Sequence, residues 1–308
     1  MNLHALLRAY LDLRAALGYS PQPASPLRNF VEFVDARGHT GPVTAELALS
    51  WACGSPRRGP GGNARRLSLV RSFLEYVRAW HPATQIPGRA LIAPYRRRNA
   101  YIYTTEQVRQ ILQVAATLGI RGCLERATYP TLFGLLVSCG LRLGEALRLT
   151  VHDVRLDESP AVLVIQETKF RKSRLAVLHP STAAALRAYV VARGGRGMPA
   201  AFFVVADRRP LSRAAVGRAF DRVRLATGIR PTPDGRRPTL HSMRHTFAVN
   251  RMLAWQHEGV EVRRWVPHLS VYMGHSSPKD TYWYLTATPE LLRVAAESFD
   301  VHANRELT

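Results

Sequence analysis

Leu3, Leu6, Leu7, Tyr10 and Leu11 recur at helical spacing, which predicts an amphipathic helix over 3–17. The spacing returns in Leu27, Phe30, Val31 and Val34 and predicts a second helix over 26–37, stopped by Gly38. Thr44 is placed to cap a short third helix. Leu67, Val70, Phe73, Leu74 and Val77 form the inner side of a fourth over 64–80, with Arg71 and Arg78 on its outer side. These elements predict a helical domain over 1–82 with a basic face.

The pattern then lapses. Residues 83–103 carry Pro87, Pro94 and the run Arg96, Arg97, Arg98 without a sustained period, which predicts a basic linker suited to lie along a phosphate backbone. Periodicity resumes at Thr104, where Thr104 and Gln107 have capping-box spacing ahead of Val108, Ile111 and Leu112. A mostly apolar helix over 129–139 ends at Gly140. The stretches 161–167 and 174–178, joined by a Lys-Phe-Arg-Lys turn, predict a β-hairpin. Helices follow over 181–192 and 212–226, then a polar Pro/Gly loop over 228–238, then helices to the end. The expected fold is mainly α with a small β-hairpin or sheet, an α+β arrangement, with a second domain over 104–308.

Composition narrows the function. Lys plus Arg number 43 against 22 Asp plus Glu, a formal charge of +21 that points to a polyanionic partner, most often nucleic acid, with a ribosome-like or membrane-surface protein as the alternative. No apolar run approaches the roughly 18 residues of a membrane span. The first residues, broken by Arg8, Asp12 and Arg14, do not form a secretory signal. Cys53, Cys123 and Cys139 lack metal-ligand spacing and are expected to be reduced, buried thiols of a cytoplasmic, nucleoid-associated protein.

Candidate chemistry lies in the second domain. Cutting a phosphodiester without a metal takes a nucleophile, cations around the phosphorane, an acid for the leaving oxygen and a base or hydrogen-bond partner. Arg142 follows a glycine-terminated helix at the start of another, where a helix N-terminus favours anions, and Glu145 is placed to hold it by a bidentate pair. His241 and Arg244, at i,i+3, put an imidazole and a guanidinium on one helix face. A zinc helix through His241 and His245 is the competing motif, but Ser242 stands where such a helix needs glutamate. Cations are nearly all arginine, so Lys169 and Lys172 in the hairpin turn stand out. An ammonium can release a proton where guanidinium cannot, which makes Lys169 the candidate acid with Lys172 in reserve. A solvated turn charge remains the alternative.

Arg142 with Glu145, Lys169 on a hairpin, His241-x-x-Arg244, Gly274-His275 and a tyrosine nine residues past that histidine together resemble the tyrosine recombinase (phage integrase) family. The resemblance covers the whole chain; the stretch WQHEGVEVRRWVPHLSVY between Arg244 and His275 is longer than in compact members, and together with "TYWYLTATPELL" it is most similar to the transposon-associated subset. It implies a core-binding domain followed by a catalytic domain. In the catalytic domain Tyr284 attacks the phosphate to leave a 3′-phosphotyrosyl link, and Tyr282 packs. Arg142 and Arg244 stabilise the phosphorane, Lys169 protonates the leaving oxygen, and His241 and His275 position or assist. It implies no metal and no cofactor, a monomer in solution, and a homo-tetramer on synapsed sites, with companion recombinases as further partners. Thr288 and Pro289 begin a tail helix placing Leu291, Leu292, Val294, Ala295 and Phe299 along one side. That side either folds back on its own domain or enters a neighbouring subunit. A type IB topoisomerase-like enzyme and a non-catalytic DNA-binding protein remain the alternatives.

Overall fold

The computed structural model describes residues 2–19, 24–54, 59–92, 100–119, 123–166, 173–195, 199–275, 277–286, 288–289 and 291–292. The chain divides into two compact units, Met1–Arg97 and Arg98–Thr308.

The first unit holds α1 (Leu3–Ala16), α2 (Ala24–Asp35), α3 (Ala45–Cys53) and α4 (Pro60–Trp80). Asn2 caps α1 by accepting from Ala5 N at 3.0 Å, and Thr44 caps α3 by accepting from Leu47 N at 3.2 Å. The apolar positions that predicted these helices converge: Phe30, Val31, Val34, Phe73, Leu74 and Val77 are fully buried. Trp51 meets Phe30 edge-on at 5.3 Å and donates Nε1–H to Asn29. α4 begins four residues before its expected start, with Pro60 in its first turn, where a missing N–H costs nothing.

Much of the expected linker is packed. Thr84 is buried, Gln85 N donates to Val43 O, and Ile92 lies against the first core. On the far side, Ala100, Tyr101 and Tyr103 are buried in the second unit. Tyr103 N donates to Thr246 Oγ1 and its hydroxyl to Thr239 O, fixing that strand of chain to the start of a later helix. Arg96, Arg97 and Arg98 lie outside the described residues.

The second unit runs α5 (Thr105–Ala115), α6 (Glu125–Cys139), α7 (Leu143–Arg148), β1 (Val154–Arg155), β2 (Val162–Ile165), β3 (Arg174–Val177), α8 (Pro180–Arg193), α9 (Arg213–Ala226), α10 (Leu240–His257), α11 (Val262–Met273) and α12 (Lys279–Tyr282). The Thr104–Gln107 capping box forms in full. α6 begins at Glu125, ahead of the expected 129, and carries Pro130 inside it. Two residues of β1 add a third strand that periodicity cannot reveal at that length. The sheet runs β1-β2-β3 antiparallel, and Ile165 pairs with Arg174.

Two linked cores support this unit. One gathers α5, α6, α8, α9 and the sheet around Leu132, Phe133, Leu136, Leu163 and Phe220. The other joins α10 and α11 through Val249, Met252, Val266 and Met273, and takes in Tyr284, Leu285 and Leu291. The three cysteines are free thiols, but only Cys139 is buried; Cys53 is exposed because it ends α3 at the domain surface.

Candidate active site

Two glycines set the frame. Gly140 ends α6 and Gly274 ends α11, both in the left-handed region at φ 62° and 68°. Neither tolerates a Cβ. At Gly140 it would enter the Phe247 ring, and at Gly274 it would stand 2.8 Å from a guanidinium nitrogen of Arg174. These turns bring the starts of α7 and α10 to the C-terminus of α11.

On that terminus three arginines converge. Arg174 Nε donates to Tyr272 O at 2.7 Å, Arg244 to Met273 O at 2.7 Å, and Arg142 to Gly274 O at 2.8 Å. These consecutive carbonyls are acceptors that a helix end leaves unpaired, at its negative pole. Arg244 also donates to Gly140 O, so one side chain joins both glycine turns.

Glu145 is the counter-charge. Its carboxylate accepts from Arg142 N and the Arg142 side chain at 2.9 and 2.8 Å, and from both terminal nitrogens of Arg174 at 3.2 and 2.8 Å. Its side chain is 2 % exposed. Burial alone would raise its pKa, but the Arg174 and Arg142 hydrogen bonds and charge outweigh that and hold it down at about 2. Arg244, 2 % exposed, is pulled down to about 10 by burial and by the nearby Arg142 charge. Two of the three guanidiniums contact one carboxylate and Arg244 donates to carbonyls instead, so the site carries surplus positive charge. Arg142, with 34 % of its side chain exposed, is the member open to solvent.

His275 follows the third carbonyl, and its Nδ1 is 2.6 Å from Thr281 Oγ1. α12 and the turn after it, Trp283–Thr286, carry the chain back toward α10. Here the expectation for the tyrosines is corrected. Tyr282 is 40 % exposed, whereas Tyr284 is 1 % exposed and packs in the α10–α11 core. The tightening from α12 into the 3₁₀ turn directs Tyr284 inward and leaves Tyr282 outside. The Tyr284 hydroxyl meets His245 Nδ1 at 2.8 Å, and its ring stacks on His275 at 6.2 Å. His241, exposed on the first turn of α10, packs edge-on against His245 at 4.5 Å.

Arg142, Glu145, His241, Arg244, His275 and Tyr284 are thus assembled around one helix end. Lys169 and Lys172 lie outside the described residues. Arg78 is exposed on α4, but Arg71 is turned to a structural task, donating to Pro87 O at 2.8 Å and Gly88 O at 2.9 Å. Sequence reasoning missed Arg174, which reads as an ordinary strand cation. It also set His245 aside with the zinc helix. Among the described residues no group of three or more His, Cys, Asp or Glu is close enough to hold a metal.

Residues 102–290 match the phage integrase family. An integrase/recombinase of Sinorhizobium fredii, y4rB, is 38 % identical over 299 residues, spanning 94 % of both chains. The Tn1549 transposon integrase in complex with transposon right end DNA superposes with a TM-score of 0.70 at 16 % identity, covering 97 % of this chain and 99 % of that one. Lambda integrase, solved as a tetramer bound to a Holliday junction, gives 0.65 at 19 %, covering 92 % and 76 %.

Proposed function

The chain belongs to the phage integrase family, and from that premise we propose that it cuts and rejoins double-stranded DNA at specific sites through a 3′-phosphotyrosyl link on Tyr284. The observation carrying this reading is the convergence of Arg142, Arg174 and Arg244 on the α11 terminus, where His275 stacks on the Tyr284 ring. An arginine cluster neutralises a phosphate and the further charge of its pentacoordinate state, and one such group contributes roughly 10²–10³ in rate. Tyr284 Oη displaces the 5′ oxygen, and attack by a 5′ hydroxyl reverses the step. The bond energy stays in the phosphotyrosine. The experiment is covalent capture from a pool of random-sequence nicked duplexes. Strands that remain bound to protein in denaturant support the reading and reveal the target; no captured strand contradicts it.

Lys169 is proposed as the acid for the leaving oxygen. Lys169→Arg keeps the charge but should cut about 10²-fold or more slowly, since guanidinium holds its proton. A duplex with a 5′-bridging sulfur, which leaves without protonation, should restore most of the rate. Absence of that rescue, or the same rescue with Lys172→Ala, moves the assignment.

Strand exchange between two duplexes needs four sites, so the chain is proposed to act as a tetramer on paired sites and to be a monomer in solution, with nucleoid DNA as its location. The tail begins as its sequence suggests: Leu291 N donates to Thr288 Oγ1 at 3.2 Å. Leu291 is fully buried against its own domain, while Leu292 is 47 % exposed. The segment after Leu292 is therefore the proposed connector. Truncation after Leu292 should leave binding to one site within about 2-fold while removing the paired-site complex in sedimentation. Persistence of that complex would confine the tail to a local role.

A further inference from the structure

The hydroxyl of Tyr284 rests on a histidine that none of the recognised motifs includes. His245 Nδ1 is 2.8 Å from Tyr284 Oη, with ring centroids 5.4 Å apart. In the tautomer protonated on Nε2, Nδ1 accepts this hydrogen bond and its lone pair is directed at the tyrosine hydroxyl. The position is fixed by the fold. His245 follows Arg244 on α10, whose guanidinium is tied to Gly140 O and Met273 O, and the Trp283 ring packs edge-on against His245 at 5.8 Å.

The other two histidines are differently engaged. His275 has Nδ1 at 2.6 Å from Thr281 Oγ1 and stacks its face on the Tyr284 ring, with 24° between the planes. His241 packs edge-on against His245 at 4.5 Å from the exposed first turn of α10. The order from the interior outward is Tyr284, His245, His241.

A phenol 1 % exposed has no bulk water to take its proton. Yet its oxygen becomes a competent nucleophile only as that proton leaves. We propose that His245 is the proton acceptor for Tyr284. As Oη bonds to phosphorus, the O–H bond breaks and its proton passes to His245 Nδ1, giving an imidazolium. The P–O5′ bond breaks, and the 5′ oxygen takes its proton from the acid on the leaving side. On rejoining, the 5′ hydroxyl attacks phosphorus and gives its proton back to the group on the leaving side, the P–Oη bond breaks, and the imidazolium returns its proton to the departing Tyr284 oxygen. His245 thereby serves the two directions with one proton. His241, exposed on the same helix, meets the His245 ring edge-on at 4.5 Å.

This inference rests on Tyr284 being the nucleophile, and its test separates the two. The full-length chain with His245→Asn keeps an acceptor near the Nδ1 position but cannot hold a proton. On the captured nicked duplex it is expected to bind with unchanged affinity and to cut about 10²-fold more slowly in a single turnover. Placing a ring-fluorinated, more acidic tyrosine at position 284 of that variant should restore most of the rate, because the proton then leaves without a strong acceptor. Full-rate cutting by His245→Asn, or no recovery with the fluorinated tyrosine, overturns the proposal and leaves His245 a holder of the side chain. Should the asparagine variant fail to fold, His245→Gln is read by the same two outcomes. Covalent product from Tyr284→Phe would instead remove the nucleophile reading beneath it.

Discussion

Tyr284→Phe is expected to bind the captured duplex as tightly as the unmodified chain and to form no covalent product, whereas Tyr282→Phe should cut at close to the unmodified rate. The loss at 284 is total because the substitution removes the one atom that would bond to phosphorus. Its structural cost is small. The ring keeps its place in the α10–α11 core, and losing the hydrogen bond to His245 costs about 1 kcal/mol. Normal melting and DNA affinity therefore separate lost chemistry from lost folding. Tyr282 is 40 % exposed, so its substitution is expected to cost little. Gel analysis in denaturant after a single turnover reads the two variants, and the reverse outcome would transfer the nucleophile to Tyr282.

The second large effect is on stability. Glu145→Gln is expected to cost about 3–5 kcal/mol near neutral pH, since it leaves Arg142 and Arg174 around an uncharged amide. The pH dependence identifies the cause. Glu145 has its folded-state pKa lowered from 4.5 to about 2. A group depressed in this way binds fewer protons folded than unfolded, so its contribution is complete above the ordinary pKa and fades as pH falls through the folded one. The shift corresponds to about 3 kcal/mol. Urea unfolding of the unmodified and Glu145→Gln chains should show a gap that is constant above about pH 5, narrows below pH 4 and closes near pH 2. A gap independent of pH would mean that the amide disturbs packing and that the ion pairs contribute little. The same variant should cut slowly at neutral pH, because Arg142 and Arg174 lose the carboxylate that sets their spacing on Gly274 O and Tyr272 O.

Which parts of this arrangement the sequence discloses follows from the range of the interactions. Helices were legible where burial is periodic, as with Phe30, Val34, Phe73 and Val77, because a repeat of apolar positions is itself the record of one buried side. The pairing of Arg142 with Glu145 was legible because i,i+3 neighbours on a helix start must meet. Arg174 was not, because its partners lie 29 and 98 residues away and only the folded chain brings them together. Spacing selects Tyr284 over Tyr282, and Tyr284 is the one whose ring stacks on His275, yet Tyr282, expected to pack, is 40 % exposed. Two residues apart, their sides are decided by the change from α12 to a 3₁₀ turn, which carries no compositional mark. Arg71 shows the converse. Its position on α4 indicates the outer side, and its two carbonyl partners at Pro87 and Gly88 are contributed by a segment that reads as a linker.

The central claim, a covalent step on Tyr284, has one direct measurement. The strand captured in denaturant is trimmed by nuclease, the protein is digested, and the peptide carrying a nucleotide is sequenced by mass spectrometry. The account predicts a phosphate ester on Tyr284, joined to the 3′ end of the cut strand, with a free 5′ hydroxyl on the other fragment. A nucleotide on Tyr282 or on any other residue, or a 5′ linkage, would contradict it.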